Sequence, residues 1–217
     1  MTNDQLELDV AAELFRDPRV GSAAIAVSAD GGVVTLRGTV GSLREKREAM
    51  KAAERIYGVA AVTDELLVRI QDKDQREDTE LRGDVLHALI LDGLIPTTVD
   101  ARVTCGFVTL TGTASWQYQR DEAKFIVANV PGVFGIEDRI KLITAPDGRD
   151  IKNDIGGAFA RSARLDADEL SVSTSPGSVT LSGVVRSWAE HDEAIAAAWA
   201  APGVTKVHDH IKIEYFK

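Results

Sequence analysis

Short runs in which apolar and polar residues alternate recur three times along the chain. In the first run Val34 and Leu36 flank Thr35, and the letters Val-Thr-Leu return at positions 108–110 and 179–181. Successive side chains of a strand point to opposite faces, so this alternation predicts strands with one buried face. A second alternating run and a turn sequence, "ADGG", "TCGF" or "SPGS", precede each of them. Each copy is therefore predicted to contain a β-hairpin.

Apolar residues at helical spacing lie on both sides of each hairpin. After the first hairpin, Ala49, Ala53 and Ile56 follow one another at intervals of four and three residues, which is the spacing of one helix face. Before that hairpin, Val10 and Leu14 indicate another amphipathic helix. The helix after the hairpin ends at a glycine, and a third apolar run follows. The predicted order of elements in each copy is therefore α-β-β-α-β.

The three copies align without gaps over 31–70, 105–144 and 176–215, at offsets of 74 and 71 residues. The stretches "QDKDQREDT" and "TAPDGRD" separate them. We predict an α+β protein of three tandem modules, 1–72, 76–145 and 148–217, each with a three-stranded sheet and two helices on one face. A module of about 70 residues buries only about 60% of its unfolded surface, so we expect the modules to pack on one another.

The letters that the copies share resemble those of the BON domain, the bacterial osmotic-stress and nodulation module. The pattern is a turn glycine, Val-Thr-Leu-x-Gly, a helix containing alanine, Gly-Val, and an aspartate next to an apolar strand. The resemblance implies the α-β-β-α-β fold and no catalytic residues. It also implies roles in envelope stress, phospholipid or membrane contact, and chaperone-like binding. Many members are exported, and a cytoplasmic relative that contains one BON domain binds potassium.

The repeated letters offer little chemistry. Glycine, valine, threonine and leucine are neither acids, bases nor metal ligands, so the repeat is interpreted as a folding signature. Its one carboxylate, at Asp64, Asp138 and Asp209, is predicted to accept local backbone N–H groups. His208 and His210 are two residues apart on a predicted strand and share a face, so they are weak candidates for half of a zinc site. No phosphate-binding loop or nucleophile motif is present, so we predict no catalysis, no cofactor and no metal.

Charge and composition narrow the range of partners. The net charge of −9 disfavours nucleic acid and electrostatic docking to anionic lipids, although exposed aromatic side chains would still permit peripheral membrane contact. No apolar run approaches the length of about 20 residues that spans a bilayer. The N-terminal sequence is acidic and amphipathic and lacks the pattern of a secretory signal, so a cytoplasmic location is expected.

Two surfaces are candidates for binding. One is a basic cluster on the helix after the first hairpin, which is either an anion patch or a solvated helix face with ion pairs to interleaved glutamates: Arg44, Arg47, Lys51 and Arg55. The other is a set of aromatic residues in modules two and three: Trp116, Tyr118, Phe125, Trp188 and Trp199. On the helix after the hairpin, module two carries Phe125 and Ala128 where module one carries the charged Lys51 and Glu54. Two interpretations remain open for them, packing between modules two and three or a groove for a peptide, lipid or other partner.

The functional hypothesis is a non-catalytic, stress-associated binding protein. It would recognise a protein, peptide, lipid or small ligand through the helical faces of modules two and three. One alternative is a cytoplasmic protein that senses potassium or calcium through backbone oxygens. A second alternative is a phospholipid-associated or chaperone-like envelope protein.

Overall fold

A computed structural model describes residues 2–69, 76–143, 151–162, 165 and 169–215. Module one contains α1 (Asn3–Arg16), a 3-10 turn (Ser22–Ala24), β1 (Ile25–Asp30), β2 (Val33–Val40), α2 (Leu43–Glu54) and β3 (Ala61–Val68). Module two contains α3 (Asp78–Leu91), β4 (Asp100–Thr104), β5 (Phe107–Thr111), β6 (Thr113–Ala114), α4 (Gln117–Ala128), β7 (Gly135–Asp138) and β8 (Lys141–Leu142). Module three contains α5 (Ile151–Arg161), β9 (Leu170–Ser175), β10 (Ser178–Val185), α6 (Trp188–Ala200) and β11 (Lys206–Ile213). The predicted order α-β-β-α-β and the α+β class are confirmed.

The chain divides into two compact units. The first comprises Met1–Ala114 and Gln119–Lys141, and so contains module one and most of module two. The second comprises Ser115–Tyr118 and Leu142–Lys217, and so contains module three.

The second strand of each hairpin is the centre of its sheet. In module one, β2 pairs antiparallel with β1 and parallel with β3, and the strand order is β1-β2-β3. The same arrangement recurs as β4-β5-β7 and as β9-β10-β11. In module two the two outer segments β6 and β8 form a separate pair. The parallel pairing requires a crossover between the last two strands, and α2, α4 and α6 supply it.

The alternating valine and leucine of the repeat form the core beneath the helices. Val34 and Leu36 are fully buried and lie in one cluster with Val10 of α1 and Ala53 of α2. The module-three cluster is built in the same way from residues of α5, β10 and α6. Because the crossover helices contribute alanines to this core, they approach the sheet closely.

The glycine that follows Val-Thr-Leu is required by the backbone. Gly38, Gly112 and Gly183 have φ values of 142°, 117° and 133°, a region that side-chain-bearing residues rarely adopt. A Cβ at these positions would also overlap a backbone carbonyl oxygen of the preceding segment, that of Ala24, Thr98 or Glu169 respectively. The repeated letters therefore serve close approach of the hairpin strands.

Candidate binding surface

The repeated aspartate is a structural group in all three modules. One carboxylate oxygen accepts the backbone N–H of the residue two positions on, at 3.0 Å for Asp64, 2.9 Å for Asp138 and 2.9 Å for Asp209. This confirms the prediction that the aspartate accepts local N–H groups.

The other oxygen of each aspartate meets a basic side chain on the crossover helix. Lys46 Nζ lies 2.8 Å from Asp64 Oδ2. An Arg120 guanidinium nitrogen lies 2.9 Å from Asp138 Oδ2, and His191 Nε2 lies 2.7 Å from Asp209 Oδ2. The three basic residues are equivalent, since they follow the same offsets of 74 and 71 residues. Each aspartate thus clamps the crossover helix to the last strand, and its two oxygens are already engaged.

The basic cluster of module one is only partly free to bind an anion. Arg55 pairs with Glu13 at 2.9 Å and with Asp17 at 3.0 Å. Arg47 lies over the ring of Phe125, with its guanidinium carbon 5.4 Å from the ring centroid. Arg44 and Lys51 are exposed, and neither forms an ion pair within the described ranges. An anion would therefore meet Arg44 and Lys51 first.

The glutamates interleaved on α2 differ from the expectation of ion pairs along the helix. Glu45 accepts the backbone N–H groups of Gly21 and Gly41, each at 2.7 Å. Glu48 is almost fully buried and pairs with Arg19 at 2.7 Å. The expectation is wrong for these two residues, because their partners are Gly21 and Arg19 of the segment after α1 and Gly41 directly before α2.

A buried carboxylate at the end of α1 completes this network. Asp17 accepts hydrogen bonds from Arg19 Nε at 2.8 Å and from an Arg19 terminal nitrogen at 2.7 Å. These bonds hold the pKa of the Asp17 carboxyl well below its usual range, although burial of the carboxyl acts in the opposite direction. The network ties the C-terminal end of α1 to α2.

Phe125 is an exposed aromatic side chain of module two and lies in the first unit. It is 42% exposed, and its ring receives the cation–π contact from Arg47 of module one. The structure therefore joins one member of the predicted anion patch to one member of the predicted aromatic surface. Arg47 forms no ion pair within the described ranges, so its guanidinium donors remain available to a carboxylate.

The remaining aromatic candidates lie in the second unit and differ in exposure. Trp116 is 37% exposed and Tyr118 is 53% exposed. Trp116 stands where Ser42 and Ser187 cap the N-termini of α2 and α6, since each of those serines accepts the N–H of the residue three positions on.

Trp188 and Trp199 are half-buried. Trp199 packs against the core of module three, and the Trp188 ring meets His191 edge-on with centroids 5.2 Å apart. Ala128, which the repeat alignment puts outside the core stripe of its helix, is instead only 3% exposed. The expectation that Ala128 lies off the core stripe is therefore wrong.

The two histidines proposed as weak metal candidates share the sheet face away from α6. They alternate along β11 with Asp209, whose carboxylate meets α6 through His191. His191 is therefore on the other side of the sheet from His208 and His210. Within the described parts of the chain, no group of three or more histidine, cysteine, aspartate or glutamate side chains is placed to hold a metal ion.

Other exposed apolar side chains were not singled out from the sequence. Ile90 and Leu91, the last two residues of α3, are 79% and 72% exposed, and Leu94, just after the helix, is 53% exposed. Phe107 on β5 is 58% exposed and stacks on Phe134 at 6.2 Å between centroids. The sequence signal was an apolar run that continues past Leu89, the last residue of the buried helix stripe.

These observations define a protein built from repeated small α+β modules whose shared residues are structural. The chain belongs to the BON domain family, whose family model matches residues 2–70, 77–144 and 147–215. It is 33% identical over 146 residues to "Osmotically-inducible protein Y" of Escherichia coli (strain K12), which covers 65% of this chain and 73% of that protein.

Two solved structures are distant matches. CdsD, a structural protein of the type III secretion system of Chlamydia trachomatis, is 13% identical with a TM-score of 0.28, over 98% of this chain and 94% of that one. The PrgH periplasmic domain is 9% identical with a TM-score of 0.24, over 88% of this chain and 95% of that one. TM-scores this low carry no argument on fold or function. Among the described helices, none has both the length and the apolar character needed to cross a membrane.

Proposed function

We propose that this chain is a non-catalytic, cytoplasmic binding protein of the osmotic-stress response that holds a partner protein or peptide on the outer face of α4. Three BON matches and the similarity to an osmotically inducible protein support the stress role. The engagement of the repeated aspartates by backbone and basic groups supports a scaffold that performs no chemistry of its own.

A difference between equivalent helices carries the proposal. Phe125 of α4 occupies the position of Lys51 in α2 and of Ala196 in α6. All three positions are exposed, so the fold itself does not require an aromatic ring there. Exposed aromatic side chains are enriched at interfaces because they supply a large apolar area with few rotatable bonds. The scaffold is shared by the modules, and this face is particular to module two.

Arg47 indicates the chemistry of the partner. Its guanidinium covers part of the Phe125 ring and has no carboxylate partner within the described ranges. A segment that placed an apolar side chain on Phe125 and a carboxylate beside Arg47 would use both groups, since arginine binds carboxylates in two-pronged geometry. We therefore favour an apolar segment that also carries acidic residues. Tyr118 and Trp116 belong to the second unit and are not part of the proposed surface.

The test is binding to a permanently unfolded acidic chain, reduced and carboxymethylated α-lactalbumin, measured by fluorescence anisotropy. Phe125→Lys installs the residue that module one carries at the same position, so the variant is expected to fold. Loss of a central aromatic contact should weaken binding about tenfold, which corresponds to about 1.4 kcal/mol. Phe15→Lys is the matched control, because Phe15 is 81% exposed on α1. Equal affinities of wild type, Phe125→Lys and Phe15→Lys, or no binding by the wild type, would refute the proposal.

The same variants distinguish the two alternatives. Co-sedimentation with vesicles of phosphatidylethanolamine and phosphatidylglycerol that Phe125→Lys abolishes would assign the surface to lipid instead of protein. A shift in melting temperature between potassium, calcium and sodium chloride at equal ionic strength, unchanged in Phe125→Lys, would favour cation sensing.

A further inference from the structure

In each module, the repeated aspartate and the basic residue of the crossover helix form a pair that we call the clamp. The clamp of module three differs chemically from those of modules one and two. His191 on α6 stands where module one has Lys46 and module two has Arg120. Its Nε2 lies 2.7 Å from Asp209 Oδ2, and its Nδ1 lies 3.2 Å from Asp192 Oδ1. The imidazole is only 14% exposed. Both ring nitrogens therefore face carboxylate oxygens at hydrogen-bonding distance.

Only the charged form of the ring satisfies this geometry. A neutral imidazole has one N–H donor and a carboxylate has none, so one of the two contacts lacks a proton. An imidazolium donates from both nitrogens, and each bond is charge-assisted and about twice as strong as a neutral one. Lysine and arginine keep their charge through the physiological range, whereas histidine changes charge between about pH 5 and 8.

The geometry points to a proton-operated clamp between α6 and β11. Protonation of His191 tightens module three, and deprotonation loosens it, while the clamps of modules one and two do not respond. The charged groups that meet the ring are Asp209 from β11 and Asp192 from α6 itself. No charged side chain in the described part of α5 or of β10 pairs with it.

The experiment is amide hydrogen exchange of residues 206–213 from pH 5.5 to 8, corrected for intrinsic exchange rates. The N–H of Ile211, which donates to Asp209 at 2.9 Å, lies within this segment. In the wild type, protection should fall about three- to tenfold as the pH rises, the range expected when charge-assisted bonds become neutral or are lost. His191→Lys, the residue of module one, should make protection independent of pH. Arg120→His should transfer the same dependence to β7 in module two.

Two further variants control for the other histidines of β11. His208→Asn and His210→Asn should leave the wild-type pH dependence in place, since both residues lie on the other sheet face. If the pH profiles of wild type and His191→Lys coincide, or if His208→Asn or His210→Asn removes the dependence, the clamp is refuted. If His191→Lys does not fold, the result for Arg120→His is sufficient. Hydrogen-exchange protection of β7 that does not change with pH in that variant refutes the proposal.

Discussion

Substitution of Gly183 by alanine tests whether the repeated Val-Thr-Leu-x-Gly phrase serves the fold. Gly183 has a φ of 133°, and it pairs with Leu170 in the antiparallel register of β9 and β10. A methyl group there would overlap the Glu169 carbonyl oxygen and lie 3.1 Å from Leu170 Cα. Both obstacles are backbone atoms, so no side-chain rotation relieves the clash and β9 must move away from β10.

The loss in free energy of unfolding has two sources, the strained backbone at position 183 and the displaced start of β9. Forcing alanine into this backbone region costs about 1–3 kcal/mol. Displacing the start of β9 weakens one or two ladder hydrogen bonds, each worth about 1 kcal/mol. The expected loss is therefore about 2–5 kcal/mol, a large part of the roughly 4–10 kcal/mol that a domain of about 70 residues possesses.

The assay is urea unfolding followed by tryptophan fluorescence, because Trp188 and Trp199 both lie in module three. Gly156→Ala is the matched control, since Gly156 lies inside α5 and an added Cβ there meets no heavy atom within 4 Å. The same chemical change should stabilise at that position by about 0.5–1 kcal/mol. If Gly183→Ala lost less than about 1 kcal/mol, or if it kept full stability and lost only binding, the phrase would be functional and the structural interpretation would fail.

Three further predictions concern groups in modules one and two. Asp138→Ala should lower the free energy of unfolding by about 2–3 kcal/mol in urea, because its side chain is 13% exposed and the substitution removes the carboxylate that joins α4 to the last strand. Asp121→Ala, at a 54% exposed side chain, should cost less than about 0.5 kcal/mol, and equal effects would contradict the clamp. Cys105→Gly should raise the melting temperature, because Cys105 has a φ of 51° where module one has Gly31. The expected gain in free energy of unfolding is about 0.5–1 kcal/mol, and a lower melting temperature would contradict the idea that Cys105 is strained. The lowered pKa of Asp17 means that its contribution to stability is complete above about pH 4 and is lost as the pH falls further. In Asp17→Asn, the urea midpoint should therefore fall less steeply with decreasing pH than in the wild type. An unchanged slope would exclude this carboxylate as a cause of acid destabilisation.

The sequence by itself determined the modular organisation and the order of elements. Alternation at Val34 and Leu36 is a local signal, because a strand with one buried face needs apolar residues at every second position. The repeated glycines and aspartates identified the family pattern, and the role of Asp64 followed from the local hydrogen bonding that aspartate favours. These properties depend on neighbouring residues in the chain, which is why one sequence with three internal copies sufficed.

Only the tertiary structure decided which side chains meet across elements. Lys46, Arg120 and His191 stand at equivalent positions of the repeat, but only the fold shows that each reaches the repeated aspartate of its own module, because the crossover helix returns over the last strand. The contact of Arg47 with Phe125 joins residues 78 positions apart, and no local periodicity encodes it. The burial of Trp199 depends likewise on the packing of α6. Contacts of this kind depend on where whole elements are placed, and the pattern along a single element does not contain that information.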